Sequence, residues 1–452
     1  MVTIIKGGDD LSKINLLDLD IISKLPKNKI KDMKLYPVFI DKDTLACVGS
    51  LNSEDLSYLK FLYNKEIILK ECCFSDLNKI RDSILLNETV EKIEELIIEK
   101  AINLQSSDIH FEPFQDSIKV RFRINGDLLT FFKIRKDKYK EMLSRIKITG
   151  NMDMTEKRLP QDGKLKFDFN NKTYSIRVST LPLVYGEKIV LRVLYKNHNY
   201  TIEGLNLEES QRDNLTKIIK SKRGIVLING PTGSGKSSTL YTILESIKDT
   251  NTNITTIEDP VEVLIENINQ ISLDRKAGLD FSNGLRSILR QDPDILMVGE
   301  IRDEETAKIA VRAAITGHKV YTTIHTKSSK EVYYRLEEMG VEKYLIKDAI
   351  IGLVSQRLIK VLCNNCKVKE KVLFQNQELE VSNSKGCLKC NFTGSSGRKL
   401  ISAVHYIDYF MTEEKLNNLS NKQMLDVVLL LLKKGEISLD VYEDFIKGEY
   451  II

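Results

Sequence analysis

One nine-residue stretch limits the possible folds of this chain more than any other. It reads Gly-Pro-Thr-Gly-Ser-Gly-Lys-Ser-Ser and follows the apolar run at residues 225–228. After it, apolar residues recur at helical spacing at Leu240, Ile243, Leu244 and Ile247. Glycines let such a turn point its backbone N–H groups at an anion, beside the positive end of the next helix. The sequence therefore predicts a strand, a phosphate-binding loop and a helix, which a chance glycine-rich turn would not supply together.

The loop also carries the side chains that a polyphosphate and its metal require. Lys236 is expected to reach the β- and γ-phosphates, and the Ser237 hydroxyl to bind Mg²⁺. The predicted nucleotide-binding residues are Gly230, Pro231, Thr232, Gly233, Ser234, Gly235, Lys236, Ser237 and Ser238. No Asn-Lys-x-Asp segment follows the loop, so the usual guanine reader of GTPases is missing and ATP is favoured.

Three more apolar runs in this half of the chain end in polar residues. They lie at residues 254–257, 295–298 and 320–324 and read as buried strands. In open α/β sheets, ligands bind at the carboxyl ends of the strands. We therefore expect the residues after these runs to meet at the phosphates.

The acids at two of these ends have complementary predicted roles. Glu300 is predicted to orient or deprotonate the attacking water. Glu258 or Asp259 is predicted to hold Mg²⁺ or its waters, because that ion prefers oxygen ligands. The alternative for each acid is a helix cap or a surface ion pair.

Histidine follows the last of these strands. His325 could hydrogen-bond the γ-phosphate or its replacement water and so report hydrolysis to neighbouring domains. His318 is a second candidate, and either histidine could instead be structural. Arg286 and Arg290, four residues apart on one helix face, are weaker candidates for the γ-phosphate or a subunit contact.

Length and composition limit the class of protein. A chain of 452 residues is expected to form three or four domains. Its 68 basic and 64 acidic side chains leave a net charge of only +4, so no nucleic-acid partner is expected. The N-terminus lacks a signal-peptide pattern and no run approaches the ~20 apolar residues of a membrane span, so we expect a cytoplasmic protein without direct membrane insertion.

Changes of pattern suggest six segments. We predict an N-terminal adaptor domain (1–86), an α+β domain (87–195), a linker (196–206), the phosphate-loop core (207–360), a cysteine module (361–400) and a C-terminal helical region (401–452). The α+β domain has an unusual density of arginines on its predicted strands. These arginines either reach an anion across a domain or subunit boundary or lie on solvated faces: Arg121, Arg123, Arg177 and Arg192.

Four of the seven cysteines form two CxxC pairs. Cys363 and Cys366 are followed, after twenty residues, by Cys387 and Cys390. Two such knuckles can place four thiolates around one Zn²⁺, and a reducing compartment favours a metal over disulfides. Four sulfur ligands leave no position for water, so the predicted site is structural rather than catalytic.

Several motifs in order resemble the type II secretion and type IV pilus assembly ATPases. The resemblance covers about residues 107–398. Its motifs are Ser-Asp-Ile-His-Phe-Glu-Pro at 107–113, Pro-Gln-Asp-Gly at 160–163, Arg-Val-Ser-Thr-Leu-Pro at 177–182, Gly-Glu-Lys-Ile-Val-Leu-Arg at 186–192, the phosphate loop, Thr-Ile-Glu-Asp-Pro-Val-Glu at 256–262, a Walker B segment at 290–303 and a His box at 316–326.

This resemblance implies a fold and an activity. It implies a RecA-like α/β P-loop ATPase core, a preceding PAS-like α+β domain and a hexameric motor that hydrolyses ATP with Mg²⁺. Arginines matching Arg177 and Arg192 are implied in completing the nucleotide site, beside Glu300, Glu258 and His325 as catalytic residues. The tetracysteine module resembles that of the extension-type branch, whereas retraction motors lack it.

The implied partner is an inner-membrane platform protein of a pilus or secretion machine, with the motor peripheral to the inner face of the cell membrane. Lys319 and Lys327 depart from the residues usual around the His box, and no Arg-Leu-Gly motif for cyclic di-GMP is found. The alternative function is a nucleic-acid-transfer or DNA-uptake ATPase with the same core.

Overall fold

The computed structural model describes residues 3–5, 25, 33–40, 44–49, 52–71, 92–195, 200–274, 277–374, 377–390, 393–408 and 411–448. The chain divides into two compact units, Met1–Lys196 and Asn197–Ile452. The predicted linker at 196–206 begins at this division, although its residues 196–199 lie outside the described part.

A small four-stranded sheet begins the first unit. Its strand order is β1-β4-β3-β2, with one helix between β3 and β4. The elements are β1 (Thr3–Ile5), β2 (Leu35–Ile40), β3 (Thr44–Gly49), α1 (Ser53–Tyr63) and β4 (Glu66–Glu71). Asn52 caps the start of helix α1, because its side chain accepts a hydrogen bond from the backbone N–H of Glu54.

The rest of the first unit is a six-stranded sheet with two helices, an α+β arrangement. Its elements are α2 (Ile93–Asn103), β5 (Asp108–Pro113), β6 (Ile118–Ile124), β7 (Asp127–Ile134), α3 (Lys136–Thr149), β8 (Gln161–Phe169), β9 (Lys172–Leu183) and β10 (Gly186–Leu194). The order is β7-β6-β5-β10-β9-β8, all antiparallel. Burial alternates along β6, so one face joins a core with both helices and the other face carries the arginines.

The second unit is built on a seven-stranded sheet. Its strands are β11 (Gly224–Asn229), β12 (Ile254–Glu258), β13 (Asn269–Ser272), β14 (Ile295–Val298), β15 (Lys319–Ile324), β16 (Ile350–Leu362) and β19 (Ser395–Tyr406). The order is β13-β12-β14-β15-β11-β16-β19. Neighbouring strands are parallel except β16 and β19, and the four strands predicted from apolar runs are confirmed.

Helices cover both faces of this sheet. They are α4 (Glu209–Lys220), α5 (Lys236–Ile247), α6 (Phe281–Ile288), α7 (Glu304–Ile315), α8 (Ser329–Glu338) and α9 (Lys343–Ala349). Every residue of β11, β12 and β15 is buried, as expected for parallel strands between two helical layers. Two hydrophobic clusters, one on each face, hold the layers together.

The cysteines lie in an insertion between two strands of this sheet. We expected a core ending at residue 360 and a separate module at 361–400, but β16 runs to Leu362 and pairs with β19, which begins at Ser395. The inserted segment contains the hairpin β17 (Lys367–Phe374) and β18 (Gln377–Ser384). The insertion is therefore anchored at both ends by the core sheet.

Two helices end the described chain. Helix α10 (Glu413–Lys433) begins at Thr412, which caps the backbone N–H of Lys415, and packs against β19 and α8. It is followed by α11 (Leu439–Lys447). Among the described residues, we find no helix of the length and apolarity that crossing a membrane requires.

Candidate active site

The loop at residues 230–238 connects β11 to α5 in a geometry that glycine permits. A Cβ on Gly230 would lie 2.5 Å from the carbonyl oxygen of Gln356, which excludes a larger residue. Gly235 adopts a φ of +87° where it leads into α5. The amine of Lys236 donates to the carbonyl oxygens of Gly230 and Pro231, at 2.9 and 2.8 Å, so the loop folds over its own lysine.

Lys236, His325 and Glu300 meet at the carboxyl ends of the strands. Nδ1 of His325 lies 3.4 Å from Nζ of Lys236, and its Nε2 lies 3.5 Å from a carboxylate oxygen of Glu300. These three residues follow β11, β15 and β14, which are neighbours in the sheet. The structure thus brings together a loop lysine, a histidine and an acid that are separated by up to 89 residues.

The electrostatics of this group favour a charged carboxylate. Burial alone raises the pKa of Glu300, but hydrogen bonds from His325 and Arg302 outweigh burial and bring the pKa to about 2. Arg302 forms an ion pair with Glu300 at 2.5 Å. Burial lowers the pKa of Lys236 to about 8, against the opposing attraction of Glu300. Glu300 is therefore ionised at neutral pH, as a base or water-orienting group must be.

A cleft of about 130 Å³ opens beside these residues. Ser237, Asp259 and Glu300 are among the residues that line it. The side chains of Ser237 and Asp259 are exposed, while Tyr241 forms part of the buried wall. A hydroxyl and two carboxylates facing one cleft are oxygen donors of the kind that Mg²⁺ prefers.

Glu258 also borders the cleft, but its carboxylate is engaged by other side chains. Tyr241 donates to one oxygen, and Thr256 and Gln270 donate to the other at 2.8 and 3.2 Å. Burial raises the pKa of Glu258, and these hydrogen bonds oppose the increase. Of the two acids that we considered for Mg²⁺, the structure places Asp259 with the more exposed side chain.

Three side chains of the site had no role assigned from the sequence. Arg302 pairs with Glu300, Tyr241 holds Glu258, and Gln356 donates to the carbonyl oxygen of Ser234 at 2.8 Å. Gln356 could have been noticed, because residues 355–357 put three consecutive polar residues inside a mostly apolar strand. Tyr241 is on α5 and its partner Glu258 lies 17 residues away at the end of β12, a contact that no local pattern indicates.

The other candidates of this unit have different surroundings. Nδ1 of His318 lies 3.1 Å from the carbonyl oxygen of Ala313, at the end of α7. Arg290 donates to the carbonyl oxygen of Arg286 at 3.1 Å, and Arg286 pairs with Glu305 on α7. The structure therefore gives His318 a contact typical of a structural histidine.

Arg177 and Arg192 lie in the first unit as direct cross-strand neighbours on β9 and β10. Arg192 forms an ion pair with Asp108 at 2.8 Å and is 60% exposed. Nε and Nη2 of Arg177 are buried and have no hydrogen-bond partner within the part of the chain that the structure describes. Arg121 pairs with Glu112 at 3.1 Å, and Arg123 with Asp108 at 3.7 Å.

The four cysteines of the insertion form one cluster. Their sulfur atoms all lie within 4.8 Å of one another. The Cys363–Cys387, Cys366–Cys390 and Cys387–Cys390 sulfur separations are 3.9, 3.8 and 3.8 Å. Tetrahedral zinc with Zn–S bonds of about 2.3 Å requires sulfurs about 3.8 Å apart, whereas a disulfide requires about 2.05 Å. The donor set and its spacing therefore fit zinc.

The family is established by comparison with known proteins. A sequence model of the family "Type II/IV secretion system protein" matches residues 86–430. The chain belongs to this family. Among its relatives, the type II secretion system protein E of Aeromonas hydrophila is 37% identical over 392 residues, covering 81% of this chain and 78% of that protein.

Other relatives bear names from both secretion and pilus systems. The type II secretion system protein E of Dickeya dadantii is 40% identical over 72% of this chain and 68% of its own length. The type IV pilus assembly ATPase PilB of Thermus thermophilus is 43% identical over 70% of this chain, but only 37% of PilB is covered. The chain is accordingly an ATPase of the secretion and pilus-assembly type.

Solved structures confirm the fold of the ATPase core. The Legionella pneumophila ATPase DotB matches with a TM-score of 0.60 at 21% identity, over 80% of this chain and 98% of that one. The pilus retraction motor PilT with bound ADP matches with a TM-score of 0.53 at 24% identity, over 78% and 97% of the two chains. At these identities the likeness concerns the α/β fold alone.

Proposed function

We propose that this ATPase is a cytoplasmic hexameric motor that drives assembly of a type IV pilus or a type II secretion pseudopilus. The observation that carries the chemistry is the contact series from Lys236 through His325 to Glu300, at 3.4 and 3.5 Å. In-line hydrolysis of a triphosphate needs a cation at the phosphates and a carboxylate that orients or deprotonates the attacking water. Lys236 follows β11 and Glu300 follows β14, on either side of β15 at the same edge of the sheet, which supports these two roles.

Each side chain of the site receives one role. Lys236 binds the β- and γ-phosphates, and Glu300 orients or deprotonates the attacking water. Ser237 and Asp259 hold Mg²⁺ or its waters, with Glu258 and Tyr241 fixing the wall behind them. His325 senses the γ-phosphate, because it contacts both Lys236 and Glu300.

The two arginines of the first unit complete the nucleotide site in the assembled hexamer. The unpaired buried nitrogens of Arg177 support this role, because guanidinium groups without partners among the described residues are disposed to bind phosphate oxygens.

We further propose that the α+β domain is PAS-like, since its strands β5 and β10 pair at the centre of the sheet with the other strands on either side.

The tetracysteine cluster is proposed to bind one structural Zn²⁺. Because the insertion begins and ends in paired strands of the core sheet, a metal at its base would stabilise the edge formed by β16 and β19.

The proposed partner is an inner-membrane platform protein, which the motor contacts from the cytoplasmic side. The cysteine module of this chain resembles that of the extension-type branch of the family. This resemblance favours a motor for assembly over a motor for retraction.

Replacement of Glu300 tests the assignment. Glu300→Gln should leave ADP and ATP binding within about twofold and lower kcat for ATP by roughly 10²–10⁴-fold. Glu338→Gln is a matched control, since Glu338 is exposed on α8 and pairs only with a surface arginine in the described chain. Equal turnover in the two variants would remove Glu300 from the reaction.

Stimulation assays on the same purified protein distinguish an assembly motor from a nucleic-acid-transfer ATPase. Hydrolysis should rise with added platform-protein domain in lipid vesicles and remain unchanged with single- or double-stranded DNA. Stimulation by DNA alone, at physiological salt, would instead support the DNA-transfer alternative.

A further inference from the structure

A continuous series of buried polar side chains joins the phosphate loop to helix α10. Oγ of Ser355 donates to Oδ1 of Asn229 at 2.5 Å. Oγ of Ser329 lies 2.8 Å from Oγ of Ser355 and 2.7 Å from Oγ of Ser420. None of the four residues is more than 2% exposed. We call this series the serine chain.

The serine chain begins where the nucleotide site begins. Asn229 is the last residue of β11 and directly precedes Gly230. Its Nδ2 is buried and has no hydrogen-bond partner among the described residues, so Ser355 provides the hydrogen bond that fixes the amide. The next residue of β16, Gln356, holds the carbonyl oxygen of Ser234 inside the loop. Two consecutive residues of β16 thus fix both the start and the middle of the phosphate loop.

The other members connect this point to helices α8 and α10. Ser329 is the first residue of α8, four residues after His325. Ser420 lies on the buried face of α10, in the C-terminal region, 91 residues from Ser329 in sequence. Alanine would suit the interior of α10 better than serine by helix propensity, so the hydroxyl of Ser420 is not explained by the helix itself.

The hydrogen bonds between buried hydroxyl groups in series depend on one another. Ser329 and Ser355 each have one proton and two partners in the series, so loss of one member removes a partner from the next. In a low-dielectric interior such unpaired groups are costly and neighbouring hydrogen bonds strengthen one another. A shift at one end of the serine chain therefore changes the stability of the contacts at its other end.

We propose that Ser355, Ser329 and Ser420 are positioning residues that hold Asn229 and the phosphate loop in their nucleotide-binding geometry and link occupation of the loop to α10. The serine chain rests on the proposed use of residues 230–238 for ATP. It adds to that function a route from the nucleotide to the C-terminal helices, which lie outside the nucleotide site.

Double substitution in the full chain tests the proposal. Ser355→Ala and Ser420→Ala should each raise the dissociation constant for Mg·ADP about fivefold. The double variant should bind ADP no more weakly than Ser355→Ala alone, because one break already interrupts the series. Effects that multiply to about 25-fold would show two independent packing defects and overturn the proposal.

Hydrogen exchange supplies a readout that packing alone would not change. ADP should slow amide exchange in α10 of the wild-type chain, and Ser420→Ala should abolish this response. Asn421→Ala is the control, since Asn421 is the next residue of α10 and is exposed. Should Ser420→Ala fold poorly, Ser420→Cys is the second variant, because it leaves no cavity and replaces the hydroxyl with a weak S–H donor.

The outcomes separate this inference from the function on which it rests. Wild-type chain that binds no Mg·ADP would refute the proposed nucleotide site and the serine chain together. Wild-type binding with an unchanged dissociation constant in Ser420→Ala, or with an ADP response of α10 that survives in that variant, would refute the serine chain alone.

Discussion

Nδ1 of His325 lies 3.4 Å from Nζ of Lys236, so a residue at the end of β15 contacts the lysine of the loop that follows β11. The opposite nitrogen of the same ring lies 3.5 Å from Glu300. One imidazole therefore lies between the amine of Lys236 and the carboxylate of Glu300. If these two residues have the proposed roles, a shift of the lysine on phosphate binding would reach Glu300 through this ring.

Removal of this bridge should affect the chemical step more than binding. We expect His325→Ala to lower kcat for ATP by about 10²-fold with a change in KM of less than about threefold, because Glu300 loses a positioning contact. Steady-state hydrolysis and ADP binding measure the two effects. His318→Ala is the matched control, since His318 contacts the end of α7. A similar kcat in the two variants would contradict the bridging role.

The nucleotide core was predictable because its signals are local. Parallel strands covered on both faces read as apolar runs, and the residues after each run necessarily lie at the same edge of the sheet. Lys236, Glu300 and His325 could therefore be grouped without coordinates. Their contacts confirm the predicted proximity, while their chemical roles stay predictions.

Contacts between distant segments were not predictable in the same way. Strand β19 pairs with β16 across the cysteine insertion, and its register depends on residues more than thirty positions apart. Likewise, Arg302 is one of several charged residues after β14, and only the fold of that loop turns it onto Glu300. Side-chain partners of this kind depend on tertiary packing, which periodicity does not encode.

A buried lysine gives the second unit a specific pH dependence. Lys319 is 3% exposed, and its amine donates to the carbonyl oxygens of Ile218 and Ser221 at the end of α4. Burial lowers its pKa from 10.5 to about 8. The unfolded chain therefore binds more protons than the folded chain between pH 8 and 10.5, so the free energy of unfolding rises with pH across that window.

Lys319→Met should remove this contribution. The wild-type free energy of unfolding, minus that of the variant, is expected to increase by about 1 kcal/mol per pH unit above pH 8. Urea unfolding at pH 7, 8, 9 and 10 measures it. Lys308→Met serves as the control, because Lys308 forms an i,i+4 ion pair with Glu304 on α7 and is 36% exposed. Parallel pH profiles for wild type and Lys319→Met would show that the amine does not titrate in this range.

The sulfur spacing of the cysteine cluster predicts a metal stoichiometry. Purified chain should carry about one equivalent of zinc, and Cys387→Ser should carry less than about half an equivalent, because serine is a poor zinc ligand. Lys389→Ser is the matched control, since Lys389 lies between Cys387 and Cys390 and is exposed. Elemental analysis gives the zinc content.

Metal removal should also lower stability. At a free zinc concentration about 1,000 times its dissociation constant, bound metal contributes about 4 kcal/mol to the folded state. A strong chelator should therefore lower the Tm of the wild type and of Lys389→Ser, but leave the already lower Tm of Cys387→Ser unchanged. An equal effect of the chelator on all three chains would argue against a zinc site at these cysteines.

An ion pair inside the first unit should behave unlike one on its surface. Nζ of Lys147 lies 2.5 Å from Glu187, with side chains only 1% and 6% exposed, and it also donates to the carbonyl oxygen of Glu156. Lys92 and Glu95 form a surface pair at 2.9 Å, with side chains 64% and 46% exposed. Lys147→Met should cost about 3–5 kcal/mol by leaving a buried carboxylate unpaired, whereas Lys92→Met should leave the stability nearly unchanged.

The stability of the double variant Lys147→Met/Glu187→Leu distinguishes two causes of the expected loss, an unpaired buried charge and lost packing around the lysine stem. If the penalty comes from the unpaired charge, the double variant should recover most of the lost stability, because apolar residues of similar volume can replace a buried ion pair. Amide exchange of peptides from α3 in the full chain, at increasing urea, reports this unit separately from the ATPase core. A double variant as unstable as Lys147→Met would show that packing around the lysine stem, rather than charge pairing, stabilises α3 against β10.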